Sequence, residues 1–134
     1  MLLGGEIMVI GIGTDIVKTV RFEGMTEPFM ARVYTPNERA YFLQKGHVTA
    51  AGIFAAKEAV AKALGTGFSF FWPNMIEISY DSSGKPSVIL YDSAALAAKK
   101  LTKRKRRFNR GYVISLSISH TDEDAIAVAL ISTR

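Results

Sequence analysis

The sequence contains no cysteine, so disulfide bonds, thiolate metal sites and cysteine nucleophiles are excluded. It has no apolar run long enough to cross a membrane. The first residues, Met1 to Val9, lack the basic region and the cleavage pattern of a signal peptide. These absences predict a protein of the cytoplasm with no membrane partner.

The residues that are present predict one folded domain. The length of 134 residues is ordinary for a domain, and 49% apolar with 22% charged residues is typical of a globular chain. We therefore expect a single domain over residues 1–134. Met8 offers a second start, in which case residues 1–7 would be an N-terminal extension outside the fold.

Positive charge is concentrated in one segment. Lysine and arginine number 17 against 12 acids, and eight of these bases lie between Lys99 and Arg110, where no acid occurs. Such a segment attracts phosphates, nucleic acids or acidic proteins. The alternative is a solvated helix end, where bases suit the helix dipole.

Apolar periodicity, caps and turn residues predict an α+β domain with a mostly antiparallel sheet and helices packed on one side. The last strand is apolar on both faces, so we expect it to be covered on both. Strands are expected over residues 8–17, 75–80, 87–91, 112–119 and 125–131. Helices are expected over residues 36–44, 49–65 and from 94 onward, with caps at Thr35, Thr49 and Ser93, and residues 22–34 are weakly helical.

The helix that ends at Gly65 carries a carboxylate and an amine four residues apart. Glu58 and Lys62 therefore lie on one face, and the alanines around them would let another surface come close. The glycines flanking Thr66 could present backbone N–H groups to a phosphate. The plainer interpretation is a surface ion pair followed by an ordinary helix end.

Three other motifs end in polar groups. Asp15 lies at the polar end of an apolar strand and is a candidate metal ligand or a turn residue. The preceding Gly11-Ile-Gly is too short for a dinucleotide fingerprint. His120, with Ser119 and Thr121, would bring an imidazole and hydroxyls together beyond the end of another strand. Lys85 lies in a predicted hairpin turn, where it could face an anion. No G-x-S-x-G motif supports a serine hydrolase.

Taken in order, these motifs resemble one family, the holo-(acyl-carrier-protein) synthases, a group of 4′-phosphopantetheinyl transferases. The resemblance implies transfer of the phosphopantetheine arm of coenzyme A to a serine of acyl carrier protein, with release of adenosine 3′,5′-bisphosphate and a requirement for Mg²⁺. The matching stretches are Gly11-Ile-Gly-Thr-Asp-Ile-Val17, Arg32-Val-Tyr-Thr-Pro-Asn-Glu38, Phe54-Ala-Ala-Lys-Glu-Ala, Lys62-Ala-Leu-Gly-Thr-Gly67, Gly84-Lys-Pro86 and Ser117-Ile-Ser-His-Thr121.

The resemblance also implies roles for individual residues. Asp15 and Glu58 would be catalytic metal ligands, and Lys62 would bind the pyrophosphate and offset charge on the leaving group. Glu58 and a metal-bound water both remain open as the base. Arg21 would meet the acidic carrier protein. The coenzyme A contacts would come from Gly65, Thr66, Lys85, Pro86, Ser119, His120 and Thr121.

The family further implies a homotrimer with active sites between subunits. Two positions depart from its pattern: Ile53 stands where many members have a phosphate-binding arginine, and Asp124 stands where many have an aromatic residue. The competing hypothesis is a nucleic-acid-binding module that uses residues 99–110, with Phe108 among the bases. It would leave Asp15, Glu58 and His120 without a role.

Overall fold

The computed structural model describes residues 7–105 and 111–134. Most of the predicted N-terminal extension and the end of the basic segment, residues 106–110, therefore lie outside the described residues. No helix in the described part of the chain is long and apolar enough to span a membrane.

Five strands form two antiparallel sheets, which confirms the predicted class. The strands are β1 (Val9–Lys18), β2 (Ile76–Tyr80), β3 (Pro86–Leu90), β4 (Tyr112–His120) and β5 (Asp124–Thr133). The first sheet has the order β1-β5-β4, and β2 pairs with β3 in a separate hairpin. The β3 strand lies against β4, on the side of the first sheet away from β1.

Four α-helices accompany the strands: α1 (Glu27–Val33), α2 (Pro36–Lys45), α3 (His47–Leu64) and α4 (Asp92–Lys105). Short 3₁₀ helices cover Thr19–Phe22 and Pro73–Met75. The predicted capping box of α2 is present: Thr35 and Glu38 each accept a hydrogen bond from the other residue's backbone N–H. The weakly helical stretch is divided between the first 3₁₀ helix and α1, which Thr26 caps.

Two predicted helix starts are wrong. The α3 helix begins at His47, and its N-cap is Gly46, which makes no side-chain cap bond. Gly46 has a φ of 109°, a value that favours glycine, and it also ends α2. One glycine therefore separates two helices, and Thr49 falls inside the first turn of α3. Similarly, α4 begins at Asp92, so Ser93 lies inside its first turn.

The central helix α3 packs across the β1-β5-β4 sheet and forms the middle of the core. The inner face of the sheet is lined by β5 alanines, among them Ala127 and Ala129, which are almost fully buried. On the outer face, Ile126 and Val128 each remain 41% exposed. The expectation that β5 is covered on both faces is therefore met only on the α3 side of the single chain.

Candidate active site between β1 and α3

Beyond its first turn, α3 leaves only one stripe that is not buried, formed by Phe54, Glu58 and Lys62. These residues recur every fourth position, which keeps them on one side of a helix. The alanines around the stripe are buried against the sheet of the same chain. The surface that was predicted to come close to the alanines is therefore the sheet of the same chain.

Two glycines bring β1 unusually close to α3. A Cβ atom built on Gly11 would lie 2.0 Å from the carbonyl oxygen of Ala63. One built on Gly13 would lie 1.9 Å from the carbonyl oxygen of Ala59. Any side chain at these positions would overlap the helix backbone, so the Gly-x-Gly motif serves helix–strand packing. The close approach brings the following residue, Asp15, to the exposed stripe of α3.

Lys62 bonds to β1 rather than to Glu58. Its Nζ donates to the carbonyl oxygen of Thr14 at 2.9 Å and lies 3.4 Å from Oδ1 of Asp15. The interpretation of Glu58 and Lys62 as a surface ion pair is therefore wrong in this structure. The lysine instead connects the helix stripe to Thr14 and Asp15, inside β1.

Asp15 has one oxygen left without a partner. Its side chain is 17% exposed, and the buried Oδ2 has no hydrogen-bond partner among the described residues. A buried carboxylate oxygen normally accepts a hydrogen bond or binds a cation. The unpaired oxygen therefore fits a role as a ligand for a metal ion or for a donor on a substrate.

Glu58 is half-buried, and its pKa is raised above the usual range. Burial is the main cause, and the negative charge of Asp15 adds to it. The positive charges of Lys62 and Arg21 act in the opposite direction. Two carboxylates, a lysine and an arginine thus share one electrostatic environment at the stripe.

Arg21 lies above two aromatic rings at the edge of this site. Its guanidinium carbon is 5.7 Å from the ring centre of Phe22 and 5.8 Å from that of Phe54. These distances are within the range of cation–π contacts. Because Arg21 is exposed and Phe54 belongs to the α3 stripe, a bound partner could meet the arginine beside Glu58.

The helix end beyond Lys62 is closed by its own backbone. Gly65 adopts a left-handed conformation with a φ of 81°, and its N–H donates to carbonyl oxygens of Ala61 and Lys62. The N–H groups of Thr66 and Gly67 both donate to the Ala61 carbonyl. The prediction that these N–H groups are available to a phosphate is therefore wrong here, because all three complete the helix cap.

The other predicted contacts lie near β4, at the opposite edge of the first sheet from β1 and Asp15. His120 pairs with Ala125 of β5, which itself separates β4 from β1. Two strand spacings amount to about 10 Å. Ser119 and His120 also point to opposite faces because they are neighbours on a strand, so they do not converge as predicted. Thr121 closes the next turn, where its hydroxyl accepts from the N–H groups of Glu123 and Asp124.

Lys85 ends the turn between β2 and β3, and Pro86 is the first residue of β3, also on the β4 side of the molecule. Lys85 is exposed, and its backbone N–H donates to the Asp81 carboxylate at 2.9 Å. The single chain therefore divides the predicted residues into two groups. One group is Asp15, Glu58 and Lys62, with Gly65 and Thr66 beyond them, and the other comprises the hairpin turn and the end of β4.

Lys57 is a residue that the sequence interpretation missed. Its side chain is fully buried, lies 2.5 Å from Oε1 of Glu38, and donates to the carbonyl oxygens of Pro73 and Ile76. The spacing of Ile53, Lys57, Val60 and Leu64 could have indicated this position, because it follows the buried side of the helix. Lys57 fixes α3, and thereby Glu58, against α2 and β2.

The two departures from the family pattern also have defined surroundings. Ile53 is fully buried in the core, so its side chain offers no surface to a ligand. Asp124 pairs with Lys18 at 2.9 Å, on the exposed edge where β5 begins beside the end of β1. Neither residue touches the Asp15 and Glu58 carboxylates.

Comparison with known proteins identifies the class. The model of the 4′-phosphopantetheinyl transferase superfamily matches residues 11–117, and the chain belongs to this family. It is accordingly a transferase, and the match favours this class over the nucleic-acid-binding alternative.

Individual relatives are more specific. A holo-[acyl-carrier-protein] synthase of Clostridium beijerinckii is 45% identical over 128 residues, covering 92% of this chain and 97% of that protein. The holo-ACP-synthase structure from Plasmodium yoelii has a TM-score of 0.76 at 34% identity, covering 96% of this chain and 98% of that one. A holo-(acyl-carrier-protein) synthase from Bacillus anthracis, solved in complex with CoA (3′,5′-ADP), has a TM-score of 0.72 at 33% identity, covering 95% and 99%.

Proposed function

We propose that this chain transfers 4′-phosphopantetheine from coenzyme A to a serine of apo acyl carrier protein in a Mg²⁺-dependent reaction. Membership of the transferase family and the names of its relatives support this reaction. The observation that carries the proposal is the buried Oδ2 of Asp15, which has no hydrogen-bond partner in the described part of the chain and lies beside Glu58 and Lys62. The pathway it would serve is fatty acid biosynthesis.

The carboxylates suit Mg²⁺ in number and type. Mg²⁺ is usually held by one or two carboxylates, with water and substrate phosphate completing its shell. Asp15 and Glu58 supply two, and no cluster of three or more metal-binding side chains occurs within residues 7–105 and 111–134. When bound, the ion would neutralise charge on the phosphate oxygens of the substrate.

Lys62 is suited to hold the pyrophosphate of coenzyme A. Its side chain is 52% exposed, so the amine can turn from the Thr14 carbonyl toward a ligand without leaving the stripe. A positive charge at this position would stabilise the negative charge that grows on the departing phosphate oxygen. Phosphoryl transfer relies mainly on such positioning and charge stabilisation.

The bond changes follow from this placement. The serine oxygen attacks the phosphorus that carries the pantetheine arm, and the bond from that phosphorus to the bridging oxygen breaks. Adenosine 3′,5′-bisphosphate leaves with the electron pair, and the serine proton passes to a base, for which Glu58 and a metal-bound water are both candidates. The raised pKa of Glu58 favours the carboxylate as proton acceptor where it is not a metal ligand.

The complete site is proposed to form between subunits of a homotrimer. The division of the predicted residues between two sides of the chain supports this, because a neighbouring copy could bring Lys85, Pro86, Ser119, His120 and Thr121 to Asp15 and Glu58. The uncovered outer face of the first sheet gives a second reason, since large apolar patches mark association surfaces. This face exposes Ile12, Ile16, Val113, Ile126 and Val128.

A charge on this outer face tests the association. We expect Ile126→Glu to reduce the trimer to smaller species in light scattering and to reduce transfer activity with it. Leu43→Glu is the matched control, because Leu43 is 77% exposed on α2, away from the sheet. A parent chain that is monomeric and fully active would contradict the proposed trimer.

Arg21 is proposed to contact the acidic carrier protein. Reversing its charge should raise KM for the carrier, since opposite charges guide such encounters, while KM for coenzyme A changes little. Arg32→Glu, on the exposed surface of α1, serves as the control. A rise confined to the KM for coenzyme A would reject the assignment of Arg21 to the carrier.

The transfer itself is tested by mass spectrometry of apo acyl carrier protein incubated with the chain, coenzyme A and Mg²⁺. We expect a mass increase corresponding to phosphopantetheine, its loss on chelation, and its recovery when Mg²⁺ is restored. Glu58→Gln and Lys62→Ala should greatly slow the increase, whereas the surface controls Glu27→Gln and Lys45→Ala should not. The absence of any increase with the parent chain, across several carriers, would reject the function.

The cytoplasmic location stays a prediction.

A further inference from the structure

A groove lies beyond the proposed active site, between the end of α3 and the exposed side of α4. It has a volume of about 740 Å³, which is within the range of small-molecule sites. Of its described lining residues, Thr66 alone is also a predicted coenzyme A contact. Its lining comprises Leu64, Thr66, Phe70, Ser93, Leu96, Ala97, Lys100, Lys103 and Arg104.

The groove changes character along α4. Leu96 and Ala97 come first along α4, and the cationic lining residues follow toward the C-terminal end of the helix. The rise of an α-helix gives about 12 Å from Leu96 to Arg104. A ligand lying along α4 would therefore meet apolar surface at one end and positive charge at the other.

Within residues 7–105 and 111–134, no negative charge pairs with the positive end of the groove. Lys100, Lys103 and Arg104 make no ion pair with any described residue, and no acidic side chain lines the groove. Three unpaired cations close together repel one another, which an anion would relieve. Their position near the end of a helix also suits the helix dipole, but that explains only the charge.

The apolar part requires a separate explanation. Phe70 is 74% exposed and Leu96 is 50% exposed, so a large aromatic ring and a leucine face water at the mouth of the groove. Removing such surface from water favours the binding of an apolar group. A free inorganic anion would leave this surface exposed, whereas an anion with a hydrocarbon chain would cover it.

We propose that this groove binds a single-chain anionic amphiphile, such as a fatty acid or an alkyl phosphate. The carboxylate or phosphate would lie against Lys100, Lys103 and Arg104, and the chain would cover Leu96 and Phe70. This binding does not depend on the proposed transferase reaction. It would make the described part of the basic segment the binding site for the anionic group of the amphiphile.

Trp72 provides an internal reporter for the test. It is the only tryptophan of the sequence, lies two residues from Phe70, and is 57% exposed. Dodecyl phosphate below its micelle concentration should change the intensity or wavelength of the Trp72 emission in a saturable manner. Inorganic phosphate and dodecyl maltoside should bind far more weakly, because each carries only one of the two required features.

Variants on the two ends of the groove separate the contributions. The double variant Lys103→Glu/Arg104→Glu should weaken dodecyl phosphate binding by about tenfold or more, because it replaces charge-assisted contacts with repulsion. Phe70→Ser should also weaken it, and its high exposure makes unfolding of this variant unexpected. Arg32→Glu/Lys45→Glu is the matched control, because it reverses two exposed charges on α1 and α2, neither of which lines the groove.

Five outcomes would overturn the proposal. The first three are no saturable binding of dodecyl phosphate by Trp72 emission and by isothermal titration calorimetry, equal binding of dodecyl maltoside, and equal weakening by Arg32→Glu/Lys45→Glu and by Lys103→Glu/Arg104→Glu. The fourth is displacement of dodecyl phosphate by coenzyme A, which would assign the groove to the transferase substrate. Binding to phosphatidylglycerol vesicles without binding of monomeric dodecyl phosphate would likewise reject a single-molecule site in favour of a membrane surface.

Discussion

Replacing Lys57 by methionine should test how the active-site helix is held. Lys57 and Glu38 form a fully buried ion pair at 2.5 Å, and the lysine also bonds to carbonyl oxygens of Pro73 and Ile76. Methionine nearly fills the space but leaves the Glu38 carboxylate buried without its counter-charge. Removing one partner of such a pair destabilises a protein by about 3–5 kcal/mol.

This loss is a large fraction of the stability of a typical domain, about 5–15 kcal/mol. Urea unfolding should therefore show a lower midpoint with an unchanged slope. Glu38 retains the backbone N–H groups of Thr35 and Ile78, so the remaining defect should be mainly one of charge. The double variant Glu38→Gln/Lys57→Met should recover a substantial part of the loss.

The pH dependence of the Lys57→Met loss is a second check. Burial raises the pKa of Glu38, and Lys57 opposes that rise, so the variant should have a still higher pKa at Glu38. Stability from a group with a raised pKa is present below the unfolded pKa, about 4.3, and is lost as pH rises through the folded value. The stability deficit should therefore shrink toward pH 4. A loss below about 1 kcal/mol at pH 7, or a deficit independent of pH, would refute the reasoning.

Two further predictions concern the contact between β1 and α3. Gly13→Ala should separate the strand from the helix, lower the free energy of unfolding and reduce transfer activity. Gly24→Ala is the control, because no atom lies near the added Cβ. In the same assays it should lower the free energy of unfolding only through backbone strain. In an NMR titration of the Glu58 carboxyl carbon, Asp15→Asn should lower the pKa of Glu58 and Arg21→Ala should raise it. Shifts of the same sign in both variants would contradict the described electrostatics.

Much of the fold follows from local patterns. The alternation of Ile114, Leu116 and Ile118 with serines correctly predicted a strand with one face partly buried against the core, because strand side chains alternate strictly. The Thr35 cap was likewise predictable, since a capping box involves only neighbouring residues. The start of α3 was not, because Gly46 and Thr49 are both acceptable caps and the choice depends on how α2 packs.

The site could be predicted only in part, since its geometry depends on contacts distant in sequence. The carboxylates were visible as motifs, but the contact from Lys62 to Asp15 spans 47 positions and leaves no local pattern. The N–H groups after Lys62 were predicted to be available to a phosphate, but they complete the helix cap. A glycine turn indicates an anion site and a helix cap equally well, so its local pattern could not decide between them. The roles of the site residues and the domain boundaries stay predictions.

The packing of α3 explains why structure and chemistry are difficult to separate in this chain. Alanines on its buried side and the glycines of β1 allow the strand to approach closely enough to bring Asp15 beside Lys62. Lys57 fixes the same helix from within, one position before Glu58. A displacement of α3 by about 1 Å would therefore alter the distances between Asp15, Glu58 and Lys62 together, and misplacement of this size can slow catalysis about a hundredfold. Substitutions deep in the core should thus reduce activity before they unfold the protein.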